Sequence, residues 1–136
     1  MKKMKLVFLV FVVTCILSIM NVKASYLVIS GITIPRFSGI YTSDEAVKDT
    51  FSNQYMKKIG AVDKNSGDGR AIEVQIQGTL TGFILLNDNQ FTVLPNSNSG
   101  YGEMPGTYRI LLKSKKSLIT EAYFTGKWVL DENLLY

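Results

Sequence analysis

The chain alternates between apolar and polar residues over several short stretches, and this period of two is typical of β-strands. Residues 72–76 alternate most regularly, and residues 107–113 repeat the pattern. The run 26–34 is rich in β-branched and aromatic residues and ends at Pro35, which favours an edge strand. Polar turns, rather than helices, separate most of these runs, so the pattern predicts antiparallel pairing.

About seven short strands are predicted, which indicates a mainly β fold, an antiparallel β-sandwich of the jelly-roll or immunoglobulin-like kind. Residues 79–86 and 90–94 are predicted to form a hairpin, and 107–113 should pair with 118–124. Gly126 should separate off a last strand around Trp128. The expected core consists of Val28, Ile72, Val74, Ile76, Phe91, Tyr108, Ile110, Leu112, Phe124 and Trp128.

One short α-helix is also predicted, and it should cover an edge or an open end of the sandwich. Residues 42–45 read Thr-Ser-Asp-Glu, which is a capping box that satisfies orphaned amides at a helix start. An apolar stripe at near-helical spacing follows, and Gly60 could take the left-handed conformation of a helix end. The stripe consists of Val47, Phe51, Tyr55, Ile59 and Val62.

The start of the chain, residues 1–24, has the pattern of a secretory signal peptide. Basic residues precede an apolar stretch over 6–20, and residues 22–24 read Val-Lys-Ala, which suits cleavage after Ala24. The alternative is a retained anchor, although the apolar stretch is shorter than the roughly 20 residues that span a bilayer. We expect a single domain over 25–136 that is secreted or extracellular, with cell-surface association possible and no stable membrane span after cleavage.

Cleavage would change the charge of the protein. The precursor carries 15 Lys and Arg residues against 11 Asp and Glu, but four of the basic residues and none of the acidic ones lie in 1–24. The remaining chain is therefore neutral, which weighs against nucleic-acid binding and against generic attraction to anionic lipids.

The composition excludes several chemistries. The chain has no His, and its one cysteine, Cys15, lies in the predicted leader. Catalysis that depends on imidazole, and zinc or iron–sulfur sites, are therefore excluded, and no cofactor is expected. Without a fixed catalytic motif we predict a non-enzymatic protein. The alternative, a small carboxylate-dependent hydrolase, would need Glu73, Glu103 or Glu121 in one cleft.

Two groups of residues are candidates for binding. Tyr101 lies between glycines in the long loop 95–106, where an exposed ring could stack on a sugar, although strand-borne aromatics are more often core residues. Arg109, Lys113, Lys115 and Lys116 could form a basic rim for phosphate or an acidic glycan. Lysines at such positions also commonly protect strand edges from aggregation.

A loop over 63–69 raises the possibility of calcium binding. Asp63 and Asn65 have the spacing of the first EF-hand ligands, but Asp68 occupies the place of the turn glycine and Val74 that of the bidentate Glu. No metal site is therefore predicted, and the alternative left open is an irregular one that uses Asp63, Asp68 and Glu73.

A tight turn before Tyr108 resembles the tyrosine corner of immunoglobulin-like sandwiches. The resemblance implies that the Tyr108 hydroxyl bonds an upstream backbone carbonyl.

The leading functional hypothesis is a secreted binding module for a protein or glycan of the cell envelope, of bacterial type. The alternative is a secreted toxin, bacteriocin or immunity factor that acts on envelopes, with residues 79–94 as an inserting hairpin.

Overall fold

The protein is mainly β. The structure is a computed structural model that describes residues 26–97 and 99–132, so the predicted signal peptide at 1–24 lies outside the described residues. Within them there is no α-helix, and hence no helix that could cross a membrane. The strands are β1 (Tyr26–Ile34), β2 (Tyr41–Thr42), β3 (Ala46–Lys48), β4 (Tyr55–Asp63), β5 (Ile72–Ile76), β6 (Ile84–Leu85), β7 (Phe91–Val93), β8 (Gly106–Tyr108), β9 (Ile110–Ser114) and β10 (Ala122–Val129).

The strands pair in a nested order. β1 pairs with β10, β2 with β9, β3 with β8, β4 with β7 and β5 with β6, and every pair is antiparallel. The described chain is therefore one long two-stranded antiparallel ribbon, and the turn of this ribbon lies between β5 and β6. Two further pairings, β10 with β4 and β9 with β5, roll the ribbon into sheets.

Two four-stranded sheets and one small sheet result. The first sheet has the order β1-β10-β4-β7, the second has β2-β9-β5-β6, and β3 and β8 form the small one. Both large sheets contribute to a single buried hydrophobic cluster, in which Met56, Phe124 and Trp128 of the first sheet meet Val74 and Leu112 of the second. The predicted antiparallel pairing is confirmed, and β1 is an edge strand as expected.

The predicted helix is absent, and the apolar stripe on which its prediction depended does not form one buried face. Val47, Phe51 and Ile59 are exposed, whereas Lys48 and Lys58 are buried. The segment instead forms β3, a loop and β4, and β4 is hydrogen-bonded on both sides, to β10 and β7. Pairing with two neighbouring strands outweighs a weak local helix preference.

The predicted hairpins are also wrong. β6 and β7 lie in different sheets, as do β9 and β10, because the chain crosses between sheets at these turns. Residues 79–94 therefore contain two very short strands rather than one continuous hairpin. Gly126 does not end a strand either, since it lies within β10 at a register shift opposite Lys58.

Eight of the ten predicted core residues are buried, and two are not. Val28 is 56% exposed and Phe91 is 37% exposed. Both lie on the outward face of the first sheet, since Val28 pairs with Lys127, Lys127 with Lys57, and Lys57 with Phe91. The sequence shows that side chains of β1 and β7 alternate between two faces. It does not show which of the two faces is covered.

A buried ion pair connects the small sheet to the end of β10. The Lys48 ammonium donates to the Leu130 carbonyl, to Asp131 Oδ1 at 3.2 Å and to Ser52 Oγ at 2.8 Å. Asp131 also accepts from the Thr50 backbone amide at 2.9 Å. Burial lowers the pKa of Lys48, and the Asp131 carboxylate opposes that shift. Each of the three N–H donors of Lys48 has a partner, and Asp131 accepts from a backbone amide as well, so the buried charges are compensated.

Gly126 is a position where close packing excludes a side chain. A Cβ there would lie 2.7 Å from the Lys57 carbonyl oxygen and 2.8 Å from Phe124. We expect Gly126→Ala to lower the free energy of unfolding by about 1–3 kcal/mol. Urea unfolding would measure it, with Gly60→Ala as the control because nothing lies within 4 Å of a Cβ there. Equal losses in the two variants would contradict the prediction.

Replacing Lys48 should be more damaging than replacing a surface lysine. Lys48→Met removes the ammonium that pairs with the buried Asp131 carboxylate, and breaking a buried ion pair costs about 3–5 kcal/mol. The control is Lys64→Met, because Lys64 and Glu121 form an exposed pair that should contribute less than about 1 kcal/mol. Thermal and urea unfolding would compare the two, and similar losses would show that Lys48 is not a structural anchor.

Candidate functional site

Two of the sequence-predicted binding residues, Tyr101 and Arg109, line one open depression of about 220 Å³, which we call the Tyr101 depression. Its walls come from segments far apart in sequence: the loop before β3, the turn after β5, the loop before β8, and β8 itself with the residue after it. The lining residues are Glu45, Gln77, Gly78, Tyr101, Thr107, Tyr108 and Arg109. No strand of the first sheet takes part.

An ion pair forms one side of the depression. Arg109 Nη2 lies 3.1 Å from Glu45 Oε1, and Arg109 Nη1 donates to the Ser43 carbonyl at 3.1 Å. Both charged side chains stay largely solvent-accessible, so the pair adds little stability and keeps spare hydrogen-bonding capacity. Gln77 lies beside Arg109, since the backbone N–H of Gln77 donates to the Arg109 carbonyl at 2.9 Å.

The Tyr101 ring forms the apolar side. It is partly buried rather than free, and packs against Tyr108 with the ring centres 5.2 Å apart and tilted by 59°. Gly78, at φ +92°, lies against the ring so closely that a Cβ would come within 3.2 Å of it. Packing on two sides holds the ring in a defined orientation at the depression.

The predicted hydrogen bond from Tyr108 to an upstream backbone carbonyl is confirmed. Its hydroxyl donates to the Met104 carbonyl at 2.6 Å, four residues upstream. The same oxygen accepts from the Gly102 amide at 3.4 Å. Burial raises the pKa of Tyr108, so the hydroxyl stays protonated and can keep donating. This bond ties the loop that carries Tyr101 to the start of β8.

The predicted basic rim is divided in the structure. Lys113 lies near the other end of β9 from Arg109, pairs with Glu73 at 3.6 Å and covers the Phe83 ring at 4.4 Å. Lys115 and Lys116 are exposed in the turn after β9. Four residues of strand separate Arg109 from Lys113, or roughly 13 Å, so the five predicted binding residues do not form one site.

A second depression, of about 480 Å³, lies along β4 and the segment before β5. Its charged groups already have partners. Lys58 Nζ lies 2.6 Å from Asp88 Oδ1 and donates to the Arg70 carbonyl at 3.3 Å. The Arg70 guanidinium bonds Asp63, Ser114 and Thr120. Lys58 and Arg70 are also buried, whereas Arg109 and Glu45 are accessible to a ligand, which makes the Tyr101 depression the better candidate.

The possible calcium ligands serve other purposes. Asp63 accepts from the amides of Asn65 at 2.8 Å and Ser66 at 3.0 Å, and from Arg70 and the Thr120 hydroxyl. Glu73 faces Lys113 instead. Within residues 26–97 and 99–132, no three acidic side chains come together as a cation site.

The three carboxylates considered for catalysis are likewise not grouped in the described part of the chain. Glu73 pairs with Lys113, and Glu121 pairs with Lys64 at 3.0 Å. Glu103 accepts from the Asn96 amide at 3.0 Å. Sequence reasoning missed both Glu45, which it assigned to a helix-capping box, and Gln77, which belongs to no motif, because both reach the depression only through strand pairing.

Asp63 should make stability sensitive to acid. The Thr120 hydroxyl, the amides of Ser66 and Asn65, and Arg70 hold the pKa of Asp63 well below its ordinary value of 3.8. The unfolded chain therefore binds a proton at Asp63 that the folded chain does not, so stability should fall as pH drops through and below 3.8.

Asp63→Asn removes this titration, so the variant should be less stable at neutral pH but lose less stability on acidification. Urea unfolding at neutral pH and at a pH below 3.8 would measure the difference, with Asp68→Asn as the control. A pH dependence unchanged by Asp63→Asn would contradict the assignment.

Comparisons with known proteins do not identify the chain. No protein-family model, no curated protein and no solved structure matches it. The function is therefore argued from the geometry of the Tyr101 depression.

Proposed function

We propose that the protein is an exported, non-enzymatic binding module with a jelly-roll sandwich fold, and that it binds a glycan of the cell envelope in the Tyr101 depression. The observation that carries this proposal is the convergence of Tyr101 and Arg109 with Glu45 and Gln77 in one open depression. Export rests on the signal-peptide pattern of residues 1–24.

The nested pairing supports the jelly-roll assignment. A jelly roll has eight strands in two sheets, formed by a ribbon that is folded and rolled. Apart from the small sheet of β3 and β8, the described part of this chain has eight strands in two four-stranded sheets, and most connections cross between the sheets. The buried residues of both sheets also share one cluster, as expected for two layers over a common core.

The chemistry of the depression favours a sugar. A sugar ring has an apolar C–H face that suits an aromatic ring, and hydroxyl groups that need both donors and acceptors. Tyr101 supplies the ring, Arg109 and Gln77 supply donors, and Glu45 and Gln77 supply acceptors. At about 220 Å³ the depression is smaller than the roughly 300–1,000 Å³ of drug-sized sites, and suits one or two sugar units.

The depression is also positioned as a binding site usually is. Its residues lie in loops and strand ends supported by β5, β8 and β9, and loops on a rigid β scaffold commonly carry binding residues. Pairing with Glu45 leaves Arg109 without excess charge, which favours a neutral or mixed glycan over a polyphosphate.

Binding can be tested with the chain from Ser25 to Tyr136, which contains every described strand and the whole described core. The probes are immobilised peptidoglycan fragments and neutral envelope polysaccharides. Glu45→Gln combined with Gln77→Ala should weaken binding by about 10- to 100-fold, because each lost hydrogen bond contributes about 0.5–1.5 kcal/mol and more where a charge is involved.

The matched control combines Glu121→Gln with Lys115→Ala, which changes exposed polar groups outside the depression. It should bind like the unaltered chain. Circular dichroism and melting temperatures would verify that both double variants fold. Binding to none of the glycans, or equal weakening by both double variants, would reject the proposed site.

A further inference from the structure

Much of the outward face of the first sheet is apolar and exposed, although Val129 and Tyr55, which register places on the same face at one end, are buried. We define this face by its exposed apolar residues and its two lysines. Strands β1, β10, β4 and β7 all contribute. The members are Tyr26, Val28, Lys57, Ile59, Val62, Phe91, Val93, Tyr123 and Lys127.

The strand register shows that these residues are neighbours on the surface and not isolated exposed residues. Val28, Lys127, Lys57 and Phe91 form one continuous row across all four strands. Tyr123 and Val62 pair in another row. Single exposed apolar residues are normal on protein surfaces, but contiguous patches usually mark an interaction site.

The charges on this face are of one sign. Lys127 Nζ lies 4.6 Å from the centre of the Tyr26 ring, and Lys57 Nζ lies 5.5 Å from that of Phe91. Neither lysine forms an ion pair with a carboxylate of the described residues. No outward-facing strand position of this sheet is acidic. The nearby Glu121, outside the strands, is paired with Lys64.

We infer that this face docks the protein onto the interface of a membrane that contains anionic lipids. Aromatic residues and lysines are suited to that environment, because their apolar parts enter the acyl boundary while their polar ends stay with the headgroups. The aliphatic Val28, Ile59 and Val93 add apolar area that a glycan would not use. The neutral total charge of residues 25–136 is no obstacle, since attraction acts through the face that meets the lipid.

A second copy of the chain fits the face less well. Three strands of eight or nine residues and the three-residue β7, spaced about 4.8 Å apart, give roughly 450 Å², below the roughly 800 Å² per partner of a stable interface. Packing two such faces together would also place the unpaired Lys57 and Lys127 of each copy in one interface. Negatively charged lipid headgroups complement those two cations instead.

Vesicle co-sedimentation of the Ser25–Tyr136 chain tests this inference. The chain should bind vesicles of phosphatidylcholine with phosphatidylglycerol more strongly than vesicles of phosphatidylcholine alone. Lys57→Gln with Lys127→Gln should lower partition onto the anionic vesicles by about 30-fold. Val28→Thr with Val93→Thr should lower it by about 10-fold, and keeps the β-branched shape that suits strands.

The control variants change matching residues elsewhere on the surface. Lys115→Gln with Lys116→Gln, and Leu80→Thr with Ile119→Thr, should bind vesicles like the unaltered chain, because all four side chains are exposed outside the strands. Glu45→Gln with Gln77→Ala should also bind normally, so that failure of the glycan proposal and failure of this one are distinguishable.

Fluorescence gives a second readout that does not depend on stability. Tyr26→Trp should show a blue shift on anionic vesicles, whereas Ile119→Trp should not, and Trp128 is buried and should contribute a constant background. Absence of binding to anionic vesicles, or equal loss in the control variants, would overturn the inference. Dimerisation in solution that Val28→Thr with Val93→Thr abolishes would overturn it in favour of a second copy.

Discussion

The structure depends on the position of β10 between β1 and β4. The first described strand and the last pair with each other, so the first sheet is complete only when the two ends of the described chain have met. Closing so long a loop costs conformational entropy, and the contacts that offset this cost form late in folding. Close packing at Gly126 and the buried Trp128 make β10 the most constrained strand, and the side chains on both faces of the sheet are placed by its register.

Buried polar groups hold together parts of the ribbon that strand pairing does not connect. Lys48 and Asp131 connect the small sheet to the segment after β10, and Arg70 with Asp63 connects the segment between β4 and β5 to Thr120 before β10. Each group is satisfied by several partners, since an unpaired buried charge would be strongly destabilising. Without cysteines in the described chain, such networks provide long-range ties that a disulfide could otherwise supply.

The sequence predicted strands well where alternation and burial agree, as in β5 and β9, and it predicted the edge position of β1. It failed for β3 and β4, because the apolar Val47, Phe51 and Ile59 are exposed while Lys48 is buried. Local periodicity carries no information about such an inversion. The site was predictable only in part: Tyr101 and Arg109 stood out individually, but pairing of Glu45 with Arg109 depends on strand pairings that no local pattern encodes.

The two residues that were wrongly predicted to be in the core belong to the face for which we propose lipid binding. Val28 and Phe91 have the character of core residues, yet the rolled ribbon leaves them on the outward face of the first sheet. The Tyr101 depression is formed without any strand of that sheet, so a glycan and a lipid surface could be bound at the same time. A shallow site with an exposed ion pair binds weakly by itself. Attachment through a second surface raises the effective concentration of the first ligand, so the two proposed weak contacts would together retain the protein at a surface that presents both ligands, where either contact alone would not.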